Sequence, residues 1–516
     1  MRRYSLKRAV PAVCAAASTA LLVYFSLRQL LLHGRFFAIH FPVSRFDRPL
    51  SWLPLAAFLF IFALLTLVLL RAFARKDVSE FMRPGLYHYY HTDKFGAKRI
   101  HLRVELDQSA ILMVDAYKVV YLNRTASVMA KHYLDGYSVQ DASERLASHY
   151  RLSRSRMRRD YDSLLERLRL LIERDDLCPF TFFEIEPIAA FQTPVSAPYR
   201  LDLVLTYRCN IDCSHCYNQR RESPELTTSQ WKKVLKTLWD QGIPHVDFTG
   251  GEPTLRPDLG DLVEYAEDLG MITGLLTNGV NLAEPAAVAR LKEAGLDYAQ
   301  VTLESHLAEV HNRMVRSDTF ERTVRAIRNL VAARIHVLTN STITRENFAP
   351  FEAMVPFLHG LGVRSFAVNS VINAGRSRHQ SFGFAEAELL PLLNRLREKA
   401  LALGMKFTWY TPTQYCQLNP VESDLGVKQC TAGKYNLAVE PDGTVIPCQS
   451  FYRPLGNILT DRWQDIYDSE FLVSLRGREW VMERCRGCEW LSTCGGGCPL
   501  QAKEDAFCCP DLASNP

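Results

Sequence analysis

The sequence predicts an α/β chain: a parallel sheet with its helices, a small winged-helix-like α+β domain before it, a cysteine-rich extension after it, and two transmembrane helices at the amino end. Three observations predict this. From 199 to 405, strand-like apolar runs alternate with amphipathic stretches six times, the pattern of β–α units. Residues 9–27 and 50–70 are uncharged, and each run is long enough to cross a bilayer as a helix. Of 14 cysteines, all but Cys14 and Cys178 fall in two fields, 209–216 and 416–509.

A chain of 516 residues holds about two to four domains. The boundaries expected are 1–76 for the two spans and their flanks, 77–178 for the small domain, 179–198 for a linker, 199–410 for the sheet domain and 411–516 for the extension. A hydrophobic content of 47% supports sizeable cores together with membrane spans, and a net charge of +5 is too small for this length to mark a nucleic-acid partner. The cysteines sit in compact motifs instead of being spread through a small secreted domain, which points to a reducing compartment.

Arg2, Arg3, Lys7 and Arg8 precede the first apolar run. Arg28, Arg35, Arg45 and Arg48 lie between the two runs, and Arg71, Arg75 and Lys76 follow the second. The outer ends together hold more positive charge than the loop, which makes the chain a multi-pass membrane protein with its catalytic part on the cytoplasmic side. A signal peptide cleaved near Ala15-Ala16-Ala17, followed by one span, is the alternative. Cys14 reads as a small apolar filler.

In the small domain, residues 101–106 alternate apolar and polar as a half-buried strand does. Two further strands, 111–114 and 119–122, flank a turn at Asp115 and Ala116, and helices are expected at 125–134, 139–149 and 153–173. Asp135-Gly136 closes the first helix. Tyr121-Leu122-Asn123, Leu134-Asp135-Gly136 and Asp160 together resemble the peptide-chaperone (PqqD-like) domain of pyrroloquinoline quinone biosynthesis. The resemblance implies a RiPP recognition element, which holds the leader of a ribosomally made precursor peptide as an added strand on a sheet edge. A generic domain that packs or dimerises is the alternative. The basic run Arg151, Arg154, Arg156, Arg158 and Arg159 reads as a solvated helix start, or as a contact for acidic leader residues or lipid headgroups. Residues 175–197, with Pro179, Pro187 and Pro194, read as a linker, and Cys178 is incidental to it.

The strands of the main sheet are expected at 201–205, 245–249, 273–277, 298–303, 336–341 and 365–369, with amphipathic helices such as 228–241 and 320–334 between them. The first strand runs into Cys209-x3-Cys213-x2-Cys216-Tyr217, the second into Gly250-Gly251-Glu252-Pro253. Three thiols on a short loop can hold three irons of a [4Fe–4S] cubane and leave the fourth iron open. Zinc is the alternative, but it takes four ligands, commonly from two C-x2-C pairs, and His215, offered as the fourth, lies between two of the cysteines. These residues closely resemble the radical S-adenosylmethionine (SAM) enzymes. The resemblance implies a partial (β/α)6 barrel with its site at the carboxyl ends of the strands. It makes Cys209, Cys213 and Cys216 the catalytic cluster ligands, with SAM chelated at the open iron and cleaved by one electron to a 5′-deoxyadenosyl radical. An electron donor such as flavodoxin or ferredoxin is the implied partner.

Carried over residue by residue, the resemblance gives Tyr217, Gly250, Gly251, Glu252, Pro253, Asn278, Thr302, Glu304 and Arg313 as the SAM-binding set. Gly250 and Gly251, lacking a Cβ, let the backbone approach the methionyl amino group. Asn278 stands near the adenosyl part, Thr302 where the family has a serine on the SAM carboxylate, and Glu304 where it has an aspartate near the ribose. Arg313 is the choice to pair the carboxylate. Arg316 is its rival, because the loop is one residue longer than the family pattern. Asn340 ends the fifth strand, and Gly375-Arg376 resembles a segment that passes the adenine. A capping or turn role is the alternative for each polar residue.

The second field reads Cys416, Cys430, Gly443, Cys448, then Cys485-x2-Cys488-x5-Cys494-x3-Cys498, then Cys508-Cys509. It resembles the SPASM domain, an extension of radical SAM enzymes that binds two auxiliary [4Fe–4S] clusters. The resemblance implies a first auxiliary cluster on Cys416, Cys430, Cys448 and Cys498, and a second on Cys485, Cys488, Cys494 and either Cys508 or Cys509. Two zinc ribbons fit the C-x2-C-x5-C-x3-C run poorly. Fully ligated auxiliary clusters would move electrons instead of binding substrate; without Cys416 as a ligand, the first would keep an open iron at which substrate could bind. Gln449 stands where sulfatase-maturating members carry a proton-accepting aspartate, and an amide cannot be that base.

The function expected is a membrane-anchored radical SAM/SPASM oxidoreductase that modifies a ribosomally made peptide or protein by cross-linking, epimerisation or oxidation. Modification of a small molecule or membrane lipid is one alternative. A non-catalytic iron–sulfur electron-transfer or scaffold protein is another, disfavoured because a scaffold has no use for an open iron.

Overall fold

The computed structural model describes residues 35–36, 39–40, 82–93, 96–115, 118–150, 152–173, 195–218, 222–379 and 382–501. The chain divides into two compact units, Met1–Asp77 and Val78–Pro516. The first is described only as two short antiparallel strands, β1 (Arg35–Phe36) and β2 (Ile39–His40).

The second unit begins with an antiparallel sheet in the order β3 (Gly85–Asp93), β4 (Gly96–Val104), β5 (Ala110–Val114) and β6 (Lys118–Leu122). Helices α1 (Arg124–Leu134), α2 (Val139–Tyr150) and α3 (Arg154–Glu173) follow. Asn123 caps α1 by accepting from Ala126 N at 2.9 Å, which satisfies one of the free donors of the first turn. The helices cover one face of the sheet, where Leu102, Leu112, Val120, Leu146, Tyr161 and Leu168 form a common core. Strand β3 adds to the expected set. Its Tyr87-His88-Tyr89-Tyr90-His91 run lacks the apolar/polar alternation that announces a strand.

The alternation at 101–106 does not mark a solvent face. His101 and Arg103 are as deeply buried as Leu102 and Val104, because the polar face of β4 packs on the larger domain. His101 Nε2 pairs with Gly270 O at 2.8 Å, and Arg103 donates to Pro198 O (2.9 Å) and Gly242 O (3.3 Å). Arg99 pairs with Glu267 and donates to Met271 O. Most of these acceptors lie at the carboxyl ends of helices, where carbonyls lack intrahelical partners and the helix dipole favours cations.

Among the described residues the larger domain is built on one ten-stranded sheet. Strands β7 (Arg200–Val204), β8 (His245–Thr249), β9 (Ile272–Thr277), β10 (Tyr298–Thr302), β11 (His336–Ile343) and β12 (Ser365–Ser370) are parallel, lie side by side in chain order, and fall within two residues of the expected runs. Strand β13 (Lys406–Trp409) pairs in parallel with β12 and ends the sheet. At the other end β14 (Asn436–Val439), from the cysteine-rich extension, pairs in parallel with β7, Asn436 opposite Arg200 and Val439 opposite Leu203. Strands β15 (Thr444–Ile446) and β16 (Gly456–Asn457) continue antiparallel. The extension thus grows out of the same sheet.

The covering helices are α4 (Thr228–Asp240), α5 (Leu259–Leu269), α6 (Pro285–Glu293), α7 (Ala308–Val315), α8 (Phe320–Ala332), α9 (Met354–Gly360) and α10 (Glu386–Ala402). Helix α4 opens with a reciprocal capping box between Thr227 and Gln230. Leu201, Leu203, Phe248 and Leu275 on the strands meet Trp231, Leu235, Leu262 and Ile327 on the helices in a continuous core.

The expected membrane anchor is corrected. Among the described residues no helix is long and apolar enough to cross a membrane, and the runs at 9–27 and 50–70 lie outside the described residues. The fold class the described residues show is the α/β sheet domain with its cysteine-rich extension and small α+β domain, with no transmembrane helix among them. The multi-pass membrane location is withdrawn with the two transmembrane helices.

Candidate functional site

The loop after β7 leaves the carboxyl edge of the sheet and carries Cys209, Cys213 and Cys216, all half-buried and none in a disulfide. It is pinned on three sides. On the first, Gly251 N donates to Thr206 O (2.7 Å) and Glu252 N to Arg208 O (2.8 Å). A Cβ on Gly250 would come within 2.3 Å of Thr206 O, and one on Gly251 within 2.3 Å of Arg208 O. The close approach that requires these two glycines is to the cysteine loop itself. On the second side, Asp212 N and Ser214 N donate to Val315 O (3.1 Å) and Met314 O (2.9 Å), at the end of α7. On the third, Gly375 holds φ +57 against Tyr217, whose carbonyl oxygen a Cβ would approach to 2.1 Å. Its neighbour Arg376 donates its N–H to Cys216 O (3.0 Å) and pairs its guanidinium with Asp212.

Two fully buried acids brace the strand ends. Glu252 accepts from Thr277 Oγ1 (2.7 Å), Thr254 N (3.1 Å) and Asn278 N (2.8 Å), and burial raises its pKa. Glu304 accepts from Thr342 N (2.8 Å) and pairs with His215 Nε2 at 2.9 Å. Burial opposes a charge on His215, but the Glu304 carboxylate outweighs it and holds the imidazole above its ordinary value. Asn278 Nδ2 donates to Asn210 Oδ1 (2.7 Å) and stands 3.9 Å from Cys209 Sγ. Pro253 is buried at the start of a short 3-10 turn, Pro253–Leu255. Thr302 ends β10, half-buried, in register with Asn340. The structure does not bring Arg313 to this group. Its side chain is 57% exposed and pairs with Glu346 at 2.9 Å. The guanidiniums at the cysteine loop belong to Arg376 and, 3.9 Å from Asp212, to Arg316.

Burial, and then Cys216, Glu304 and Cys209 around it, push the Cys213 thiol well above its ordinary value. Thiols so placed become thiolates when metal cations take the place of their protons. Among the described residues no three His, Cys, Asp or Glu side chains converge tightly enough to hold one ion, and His215, the candidate fourth zinc ligand, is committed to Glu304. A cubane's thiolates bind different irons and so stand further apart than the ligands of a single zinc. The donors present fit the cluster better than the ion.

The other cysteines without a disulfide among the described residues form two groups. Cys430, Cys448 and Cys498 are each pushed up to about 12, first by burial and then by a neighbouring thiol of the same group. Cys485, Cys488 and Cys494 form the other group. Cys494 is buried there, donating to Thr413 O (3.6 Å) and accepting from Tyr415 N (3.4 Å). Cys416, expected with the first group, is held in a disulfide, and the residues just before it are the ones that touch Cys494. Cys508 and Cys509 lie outside the described residues.

The two cysteine fields touch. Tyr217 donates its hydroxyl to Gln449, and Tyr452 donates to Tyr217 O (3.2 Å). Behind them the buried Asp202 accepts from Gln449 and from Asn436 Nδ2 (3.0 Å), with its pKa raised by burial. The His215–Glu304 and Tyr217–Gln449 pairs escape sequence reasoning because 89 and 232 positions separate the partners, and no motif spans either.

Residues 203–358 match the family model of the radical SAM superfamily, and residues 430–489 that of the SPASM iron–sulfur cluster-binding domain. The chain is 30% identical over 317 residues to the PqqA peptide cyclase of Rhizobium meliloti (strain 1021), which covers 58% of this chain and 81% of that protein. It is 30% identical over 327 residues to the PqqA peptide cyclase of Gluconobacter oxydans (strain 621H), covering 60% and 87%. Among solved structures, Streptococcus suis SuiB bound to precursor peptide SuiA shares the fold with a TM-score of 0.60 at 14% identity, over 81% of this chain and 97% of that one. The chain belongs to the radical SAM superfamily, in the branch that carries a SPASM domain, and is an enzyme whose cofactors are S-adenosylmethionine, a [4Fe–4S] cluster and auxiliary iron–sulfur clusters.

Proposed function

We propose that this enzyme modifies a peptide by radical chemistry, with Cys209, Cys213 and Cys216 holding the SAM cluster. The carrying observation is the 30% identity to PqqA peptide cyclases over more than four-fifths of their length. When bound, the cluster and SAM supply a 5′-deoxyadenosyl radical that takes a hydrogen atom from the substrate. The chain's own residues do the rest. Gly250-Gly251, the Arg376–Asp212 pair and the Glu304–His215 pair fix the cysteine loop. Asn278 and Thr302 stand at neighbouring strand ends, within the SAM-binding set. The Tyr217–Gln449 bond holds the Cys448 segment against that loop, so an electron leaving the substrate has a short path to the first auxiliary cluster. That cluster would sit on Cys430, Cys448 and Cys498, and the second on Cys485, Cys488 and Cys494. Reducing electrons come from a donor of the flavodoxin or ferredoxin kind.

The small domain is read as a PqqD-like recognition element for the leader segment. Strand β6 ends its sheet, so the outer edge of β6 carries no strand among the described residues and suits an added one.

The test is co-expression of the full chain with the short peptide encoded beside its gene, followed by mass spectrometry, with Cys209→Ala as control. A mass change that depends on Cys209 is expected. If purified enzyme makes 5′-deoxyadenosine yet leaves every such peptide unaltered, the peptide reading is wrong.

A further inference from the structure

We propose that Arg478 sets the reduction potentials of both auxiliary clusters, standing between their sites as a fixed positive charge. The inference rests on reading the two cysteine groups of the extension as those sites.

The backbone gives the first reason. Arg478 ends the helix Glu470–Gly477 at φ +58 and ψ +34, the left-handed cap where glycine or asparagine is usual. Local sterics disfavour a Cβ there, so the turn itself does not call for arginine, and the side chain must answer for its presence. The second reason is where that side chain goes. It folds back into the domain, donates to Gly495 O, and lies within electrostatic reach of Cys430 in one group and Cys494 in the other. Among the described residues no carboxylate forms an ion pair with it, whereas the nearby Arg476 has Asp468 at 3.6 Å. An unpaired guanidinium so placed is costly unless an anion accompanies it, and the groups around it that can become anions are Cys430, Cys494 and Tyr435. A cavity of about 510 Å³ is lined by Cys430 and Cys488 together with Arg478, Arg476, Lys434 and Trp480.

A [4Fe–4S] centre becomes more negative when reduced, so a cation beside it favours the reduced form and raises its potential. One guanidinium near both groups acts on both.

The test uses the reconstituted full chain. Arg478→Gln keeps a donor for Gly495 O but removes the charge, and Arg478→Lys keeps the charge. Iron content and a potentiometric titration followed by electron paramagnetic resonance are the readouts. Both variants should retain wild-type iron. The glutamine variant should shift both auxiliary potentials downward, the lysine variant should stay near wild type, and the SAM-cluster potential should not move in either. Unmoved auxiliary potentials in an iron-replete glutamine variant overturn the proposal. So does loss of iron from both variants, which would make Arg478 a brace for the Gly495 turn. A wild-type chain holding only about four irons would instead overturn the assignment of the auxiliary sites, and the proposal with it.

Discussion

Gly251 sits where a single methyl group has nowhere to go, 2.3 Å from Arg208 O and 2.7 Å from Tyr207 O. Gly251→Ala should cost about 1–3 kcal/mol, read as a lower thermal midpoint, and should lower iron content and 5′-deoxyadenosine yield together, because the displaced backbone is the one that presents Cys209. A variant with wild-type midpoint and iron would show that the loop can relax. The arginines offer a sharper contrast. Arg313 makes an exposed pair of the kind worth little, whereas the Arg376 guanidinium pairs with the Asp212 carboxylate and donates to the Asp212 carbonyl (3.3 Å) inside the cysteine loop. Arg376→Ala should reduce SAM cleavage severely, and Arg313→Ala should leave it near wild type. The reverse order would restore Arg313 as a cofactor contact. Sequence made the glycine pair legible as a close approach but not the surface approached, since that surface comes from another loop. It left Arg313 and Arg316 open for the same reason. Spacing locates a loop, whereas the direction of a side chain depends on what packs beside it.

The polar face of β4 supplies a pH-dependent element. Burial lowers the His101 pKa to about 3, so the imidazole is neutral in the fold and binds a proton more readily once unfolded. Its contribution to stability is complete above the ordinary value near 6.5 and is lost as pH falls from there towards 3, by up to about 1.4 kcal/mol per unit. The thermal midpoint of the wild type should therefore fall faster than that of His101→Gln between pH 6.5 and 4, and equal slopes would contradict this. Most strands and helices of both domains were legible because their apolar periodicity survives in the fold. The docking of β4 was not, because alternation shows that a strand has two unlike faces without showing that the polar one is also covered.

Pairing of β14 with β7 joins the SPASM extension to the main parallel sheet through backbone hydrogen bonds, with the Tyr217–Gln449 contact above them. If both auxiliary groups bind cubanes, the reconstituted chain should hold about twelve irons, and Cys430→Ala combined with Cys448→Ala should remove about a third of them while sparing the SAM cluster. Loss of all iron would mean that the centres assemble only together. The SPASM resemblance suggested these ligand groups; Cys430, Cys448 and Cys498 come from three separate stretches of chain, so spacing alone does not join them. The β7–β14 pairing was not legible, since the partners lie far apart in the chain and four residues of strand carry little signal. Apolar length alone suggested two membrane spans, and nothing among the described residues bears that out.

The sheet stops at β13, with no strand beyond it among the described residues, so its two ends do not join into a ring. On the peptide reading proposed above, a long chain need not be threaded over the strand ends by its tip. It would be laid across them with both tails outside, and the residue that reacts would be set by its distance from the segment the small domain holds, as a ruler picks out a mark.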